Sequence, residues 1–211
     1  VGGFHAGYDG AQDYDLFLRC IERIPSTSIA HIPKILYHWR TIEGSVSADL
    51  GVKPYAITSA KKALKDALIR RKVQGEVSDG LFPSSYRIHY KILDNPFITI
   101  IIPTKDNVRI LKRCVNSILE KTTYHNYRIL IIDNQSQDER TYNYYETIKT
   151  DPKIRILFYD FPFNFSAINN YAVTHVETPY ILFLNNDTEV IADEWLSAML
   201  EHAQREEIGA V

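Results

Sequence analysis

Three short polar clusters each follow an apolar run in the second half of this 211-residue chain. Pro103-Thr104-Lys105-Asp106 follows Phe97–Ile102, Asp133-Asn134-Gln135-Ser136-Gln137-Asp138 follows Arg128–Ile132, and Asn185-Asn186-Asp187-Thr188-Glu189 follows Tyr180–Leu184. Carboxylates and amides gathered in this way can hold a phosphorylated ligand through a divalent metal. Mg²⁺ or Mn²⁺ needs only one or two carboxylates, with phosphate oxygens and water completing the shell. A glycine-rich phosphate loop is excluded, because no glycine occurs between Gly80 and Gly209, so dinucleotide and Walker-type sites do not fit. Each cluster also has an ordinary reading: Asp and Asn at strand ends make turns and helix caps. That reading applies to Asp133, and most directly to Asp138, which precedes a helix-like segment.

The first half offers Gln12-Asp13-Tyr14-Asp15 at the start of a helical pattern. Acidic residues in a first turn are favoured by the helix dipole. The functional alternative is a general base that takes a proton from a hydroxyl. Asp13 and Asp15 are two residues apart and share no helix face, so at most one of them is the base. Tyr37-His38-Trp39-Arg40 is a second dense cluster. The stretch Phe161–Ser166 holds three Phe and a Pro; it reads as a packed loop leading to a helix capped at Ser166, whose N-terminus is free to meet an anion.

The elements that must position these residues are legible from periodicity. Phe97–Ile102, Arg128–Ile132, Lys153–Tyr159 and Tyr180–Leu184 read as buried strands. Helical spacing covers 107–120, 138–149, 166–176 and 193–206, the last with Trp195, Leu196, Met199 and Leu200 on its apolar side. Strand and helix alternate four times, so the expected fold class is α/β, a mostly parallel sheet with helices on both faces. Earlier, Asp13–Arg23 and 55–73 read as helices. Ile29–Ile32 and Ile35–Trp39 read as short strands, and 74–96 as a linker with a strand at Tyr86–Ile92.

Composition sets the outer bounds. Apolar residues at 45% and charged residues at 24% describe a globular protein. No apolar run approaches the length of a membrane span. The formal net charge is -2, so general nucleic-acid binding is not expected. The basic residues at 61–72 form either a solvated helix face or a face for an anionic membrane surface. The two cysteines, Cys20 and Cys114, lack metal-ligand spacing and suit a reducing, cytoplasmic compartment.

Taken together, Ile100–Asp106, Ile131–Asp138, Phe163–Asn170 and Leu182–Val190 resemble family 2 glycosyltransferases of the GT-A fold. The resemblance implies a Rossmann-like half that binds a nucleotide-diphosphate sugar (a UDP- or dTDP-sugar). It implies a nucleotide-sugar site of Pro103, Thr104, Asp133, Asp138, Asn170, Asn185, Asn186 and Asp187. Asn185 stands where the family's D-x-D motif begins with Asp, which leaves Asp187 as the principal ligand of Mn²⁺ or Mg²⁺. Gly10–Leu16 resembles the family's E-D motif, with Gln12 in place of Glu and Asp13 at the general base. Ile32–Arg40 resembles the segment that closes over the diphosphate, with His38 at a diphosphate or metal contact.

The order is inverted, since an acceptor-side half precedes a donor-side half. The layout is similar to the junction of a tandem two-domain polysaccharide transferase. The expected division is an acceptor-side remnant over 1–50, a basic helix and linker over 51–96, and a donor half over 97–211. In that reading Asp13 and Asp187 belong to different sites, and the chain is a fragment. In a permuted arrangement they would face each other. The implied reaction is inverting transfer to a glycan or lipid-linked glycan acceptor, with peripheral membrane contact as an option. A non-catalytic nucleotide-sugar-binding module, a structural junction, and a flavodoxin-like phosphate-binding domain are the alternatives.

Overall fold

The computed structural model describes residues 1–38 and 54–211. They form two units, Val1–Lys91 and Ile92–Val211.

The second unit carries a four-stranded sheet. β3 (Ile98–Thr104), β4 (Tyr127–Asp133), β5 (Ile154–Phe158) and β6 (Tyr180–Phe183) lie in the order β5-β4-β3-β6, all parallel. The helices between and after them are α3 (Val108–Lys121), α4 (Glu139–Ile148), α5 (Phe165–Val173) and α6 (Trp195–Ala203). The alternating pattern is thus borne out as an α/β fold. The chain starts in the middle of the sheet, moves outward through β4 and β5, then returns to the other side of β3. A flavodoxin-like order would seat the third strand beside the first; here the fourth does, so that alternative is corrected.

Side-chain alternation along β3 and β4 builds two cores. Ile98, Ile100, Ile102, Ile129 and Ile131 pack with Leu111, Val115 and Ile118 of α3, Tyr144 and Tyr145 of α4, and Leu196 and Leu200 of α6. On the opposite face Ile101, Leu130 and Ile132 pack with Ile168 and Ala172 of α5. Both faces of the central strands are covered, which is why these strands are continuous apolar runs.

The first unit contains α1 (Gln12–Ile21), a 3-10 turn at Ser26–Ser28, α2 (Pro54–Arg70), and an antiparallel hairpin of β1 (Gly75–Asp79) and β2 (Tyr86–Tyr90). The hairpin replaces the expected linker, and β1 was not legible because its sequence, Gly-Glu-Val-Ser-Asp, is only weakly strand-like. No strand forms at Ile29–Ile32 or over Ile35–Leu36, whose apolar side chains are exposed. Trp39 and Arg40 lie outside the described residues. Gly10, at φ +78, passes so close to α2 that an added Cβ would sit 2.7 Å from that of Ala56.

α1 buries its polar side. Asp15 is fully buried and takes Nε and Nη2 of Arg19 at 3.0 and 2.7 Å. Arg19 also donates to the carbonyls of Val1 and Gly3, fastening the N-terminal loop to the helix. The apolar spacing read for this helix is present, yet Phe17, Ile21 and Ile24 are exposed. The basic residues at 61–72 are mostly paired: Lys61 with Asp79, Lys62 with Asp66, Arg70 and Arg71 with Glu22. A membrane-facing basic helix therefore loses much of its free charge. No helix among the described residues is long and apolar enough to cross a membrane.

The Asp15–Arg19 pair makes a direct prediction. Arg19→Met leaves a buried carboxylate without its counter-charge and should cost roughly 3–5 kcal/mol. Phe17→Ala, on the exposed side, should stay within about 0.5 kcal/mol. Urea unfolding of both variants checks this; equal losses would show that the ion pair does not hold the unit.

Candidate nucleotide-sugar cleft

The cleft follows from where β6 stops. β4 pairs with β3 along its whole length, Ile98 to Thr104, whereas β6 pairs only with Ile98–Ile101. The last bond across that gap is Leu184 N–H to Ile101 O at 2.9 Å. Odd-numbered residues of β3 point their backbone groups toward β6, and even-numbered ones toward β4, where Asn134 N–H meets Thr104 O at 2.8 Å. Pro103 is odd-numbered. Its missing N–H faces the side that β6 has already left, so a proline is tolerated in a central strand. The opening holds a cleft of about 240 Å³ lined by Pro103, Thr104, Lys105, Asn134, Phe163, Phe165, Ile168, Asn185 and Asn186. It lies at the topological switch point, beyond the carboxyl end of the strands, where open α/β sheets bind ligands.

The loops around it are tied to one another. Asn186 Nδ2 donates to Thr104 Oγ1 at 2.9 Å, bridging the gap. Asp106 and Asn107 both adopt positive φ, 50° and 54°, at the turn into α3. Asp and Asn accept that conformation better than other non-glycine residues. Asp106 Oδ1 then takes the N–H groups of Gln137 and Asp138 at 2.7 and 2.8 Å, while its own N–H donates to Ser136 Oγ at 2.7 Å. Asn134 Nδ2 donates to the carbonyls of Tyr159 and Phe161 at 3.0 and 2.8 Å, holding the loop that carries the phenylalanines.

Pro103, Thr104, Asn185 and Asn186 are thus brought together. Asp187 follows them at the surface and accepts no hydrogen bond from the described residues. Its charge helps raise the Cys114 thiol above its ordinary pKa, after burial, the larger cause. Asp133 is placed differently. It shares a strand face with Ile129 and Ile131 and points to α4, buried, with Oδ1 taking Ser136 N–H at 3.0 Å and Oδ2 taking the Tyr145 hydroxyl at 2.6 Å. The neighbouring Asn134 lines the cleft instead. Asp138 caps α4, accepting Arg140 N–H at 2.9 Å, and is clamped by the Arg140 guanidinium. Asn170 is exposed on α5. The cap of α5 is Asn164, whose Oδ1 takes Ala167 N–H at 2.9 Å, rather than Ser166. The loop before it is exposed rather than packed, with Phe163 68% and Phe165 56% accessible.

In the first unit, Asp13 is exposed in the first turn of α1, where Oδ1 accepts Tyr14 N–H at 2.8 Å. Asp15, committed to Arg19, is not available as a base. His38 is exposed.

Among the described residues, no three His, Cys, Asp or Glu side chains gather as a metal cage. Glu189 is engaged by Arg113 and Lys121, which hold its carboxyl below the usual range. Asp187 is left as an uncommitted carboxylate beside the cleft. That donor set fits a Mg²⁺- or Mn²⁺-type ion completed by phosphate oxygens, and does not fit an all-protein cage.

The glycosyl transferase family 2 profile matches residues 99–211, the unit that holds the cleft. The chain belongs to glycosyl transferase family 2. O-antigen biosynthesis protein RfbC of Myxococcus xanthus is 40% identical over 213 residues, covering 100% of this chain and 16% of that protein. The uncharacterized protein y4gI of Sinorhizobium fredii is 41% identical over 213 residues, covering 100% of this chain and 23% of that protein. The chain thus spans less than a quarter of either relative's length. Among solved structures, the mannosyltransferase PcManGT from Pyrobaculum calidifontis, in complex with GDP-Man and Mn²⁺, aligns with a TM-score of 0.51 at 16% identity. That alignment covers 73% of this chain and 44% of the mannosyltransferase. The likeness is one of fold, and this chain has the GT-A architecture.

Tyr144 and Tyr145 give a matched test of the scaffold. Burial pushes the Tyr144 phenol up to about 12, and its hydroxyl has no partner among the described residues. Burial, then the hydrogen bond to Asp133, raises Tyr145 still further. Both keep their protons above pH 10, where an unfolded chain loses them, so stability should fall as pH rises from 10 upward. Tyr144→Phe should be neutral or stabilising at pH 7 and should flatten that alkaline loss. Tyr145→Phe strands Asp133 Oδ2 and should cost about 1–3 kcal/mol at pH 7. Denaturant titrations at pH 7 and pH 11 measure both.

Proposed function

We propose that this chain is part of an enzyme that transfers a sugar from a nucleotide-diphosphate sugar to a glycan acceptor in surface-polysaccharide assembly. Residues 97–211 are its donor-binding half. The observation that carries this reading is the switch-point cleft, walled by Thr104, Asn134, Asn185 and Asn186, with the uncommitted Asp187 carboxylate next in sequence. Two related proteins agree with it: RfbC, a protein of O-antigen biosynthesis, and a UDP-glucose-dependent glucosyltransferase of Escherichia coli that is 26% identical over 109 residues.

In this reading the amide and hydroxyl groups of the cleft orient the nucleotide and diphosphate, with Lys105 supplying positive charge. Asp187 would hold Mn²⁺ or Mg²⁺, which when bound neutralises charge on the diphosphate leaving group. Phe163 and Phe165, exposed at the wall, offer flat apolar surface to a nucleobase or sugar ring. Inversion requires a single displacement in which an acceptor hydroxyl attacks the anomeric carbon as a carboxylate takes its proton. Asp13 is the carboxylate we assign to that step in the transferase site to which the first unit belongs, because among the described residues one of its oxygens is free of internal bonds whereas Asp15 is buried against Arg19.

We infer further that Asp13 and Asp187 serve two different active sites, at the junction of two transferase domains. Both longer relatives carry this order of units without interruption, and the exposed apolar side of α1 suits a helix that packs on further sequence of its own domain. We read the protein as cytoplasmic, with contact at the inner face of the membrane as an option.

Calorimetric titration of the chain with UDP and dTDP, with and without Mn²⁺, tests the donor half. Metal-dependent binding is expected, and Asp187→Ala should remove the metal-dependent part. Binding that ignores both metal and Asp187 would overturn the assignment of the ligand. No binding under any condition would overturn the view that this unit forms a donor site by itself.

A further inference from the structure

Asp187 has no internal partner among the described residues, yet nearly every residue around it is anchored. Asn186 is bonded to Thr104 at 2.9 Å on the cleft side. On the other side the anchors come from one helix, α3, that lies outside the cleft. Cys114 Sγ donates to Asn185 O at 3.7 Å and meets Thr188 Oγ1 at 3.6 Å. Ser117 Oγ accepts Val190 N–H at 3.0 Å. Lys121 Nζ donates to Val190 O at 2.7 Å and to Glu189 Oε1 at 3.4 Å. Arg113 Nε donates to Glu189 Oε2 at 2.5 Å.

We propose that α3, through Arg113 and Lys121 acting on Glu189 and Val190, is a positioning clamp that fixes the Asp187 carboxylate for the metal-bound diphosphate. The proposal rests on the donor-site reading of Asp187. Two observations separate it from simple surface pairing. Arg113 is 75% exposed, so its ion pair contributes little to stability. The pairs also keep Glu189, two residues from Asp187, turned onto α3. A loop of this kind carries one free carboxylate at a fixed place rather than two at variable places. Groups that orient a metal ligand from behind commonly account for tenfold or more in metal affinity.

The test is the double variant Arg113→Met/Lys121→Met, compared with the charge-keeping Arg113→Lys/Lys121→Arg and with Asp187→Ala. The probe is UDP, titrated with and without Mn²⁺. The Met variant should lose roughly tenfold in the Mn²⁺-dependent gain of affinity. Its metal-free affinity and melting temperature should stay near the parent's, and the charge-keeping variant should recover most of the loss. Hydrogen exchange in the same proteins should quicken at 185–190 in the Met variant alone. If Asp187→Ala abolishes the Mn²⁺ gain while the Met variant keeps it, or binds Mn²⁺-UDP more tightly, the clamp is refuted and the donor-site reading stands. If the parent shows no Mn²⁺ gain, or Asp187→Ala leaves it intact, the donor-site reading falls and the clamp falls with it.

Discussion

The early end of β6 is the constraint on which the site depends. A parallel sheet that reverses its direction of growth must part at the strand where it began, and here that strand is β3. β4 accompanies β3 to Thr104, while β6 leaves after Ile101. The three residues beyond that point have a partner on one side only. A proline fits there because no donor is needed, and the hydroxyl of Thr104 and the amide of Asn186 meet across the space left open. The cleft is therefore a by-product of register.

Rigidity around this opening comes from short polar side chains where related phosphate-binding folds use glycine. Asp106 serves both as a left-handed turn residue and as an acceptor for two backbone amides of the neighbouring loop. Asp133 performs the equivalent task within its own loop, with Tyr145 satisfying its second oxygen from α4. Each carboxylate is consumed in holding backbone, which among the described residues leaves Asp187 uncommitted. Among the acidic residues of the three strand-end clusters, Asp106, Asp133, Asp138 and Glu189 are all committed to internal partners.

The first unit obeys a different logic. Its helix α1 is organised around a buried ion pair, with the apolar residues left outside. An arrangement of that kind is costly for an isolated domain and sensible for a helix whose apolar side meets more of its own domain. The chain aligns over its whole length within two relatives more than four times as long.

Much of the second unit was determined by the sequence alone. Four apolar runs separated by helical periodicities admit few arrangements other than a parallel sheet, because strands buried on both faces must be apolar throughout and the connections must cross over. The strand-end clusters were legible for the same reason. The tertiary structure decided which member of each cluster faces the cleft. Asp133 and Asn134 are adjacent and chemically alike, but the period of two along β4 sends the first to α4 and the second to the α5 side. The exposure of Phe163 and Phe165 was equally hidden, since a run of aromatics reads as core until the loop's own geometry turns it outward. In the first unit the hairpin strand β1 and the inward polar face of α1 defied the pattern. Burial there is set by what packs on the helix, and spacing along the chain carries no record of that partner.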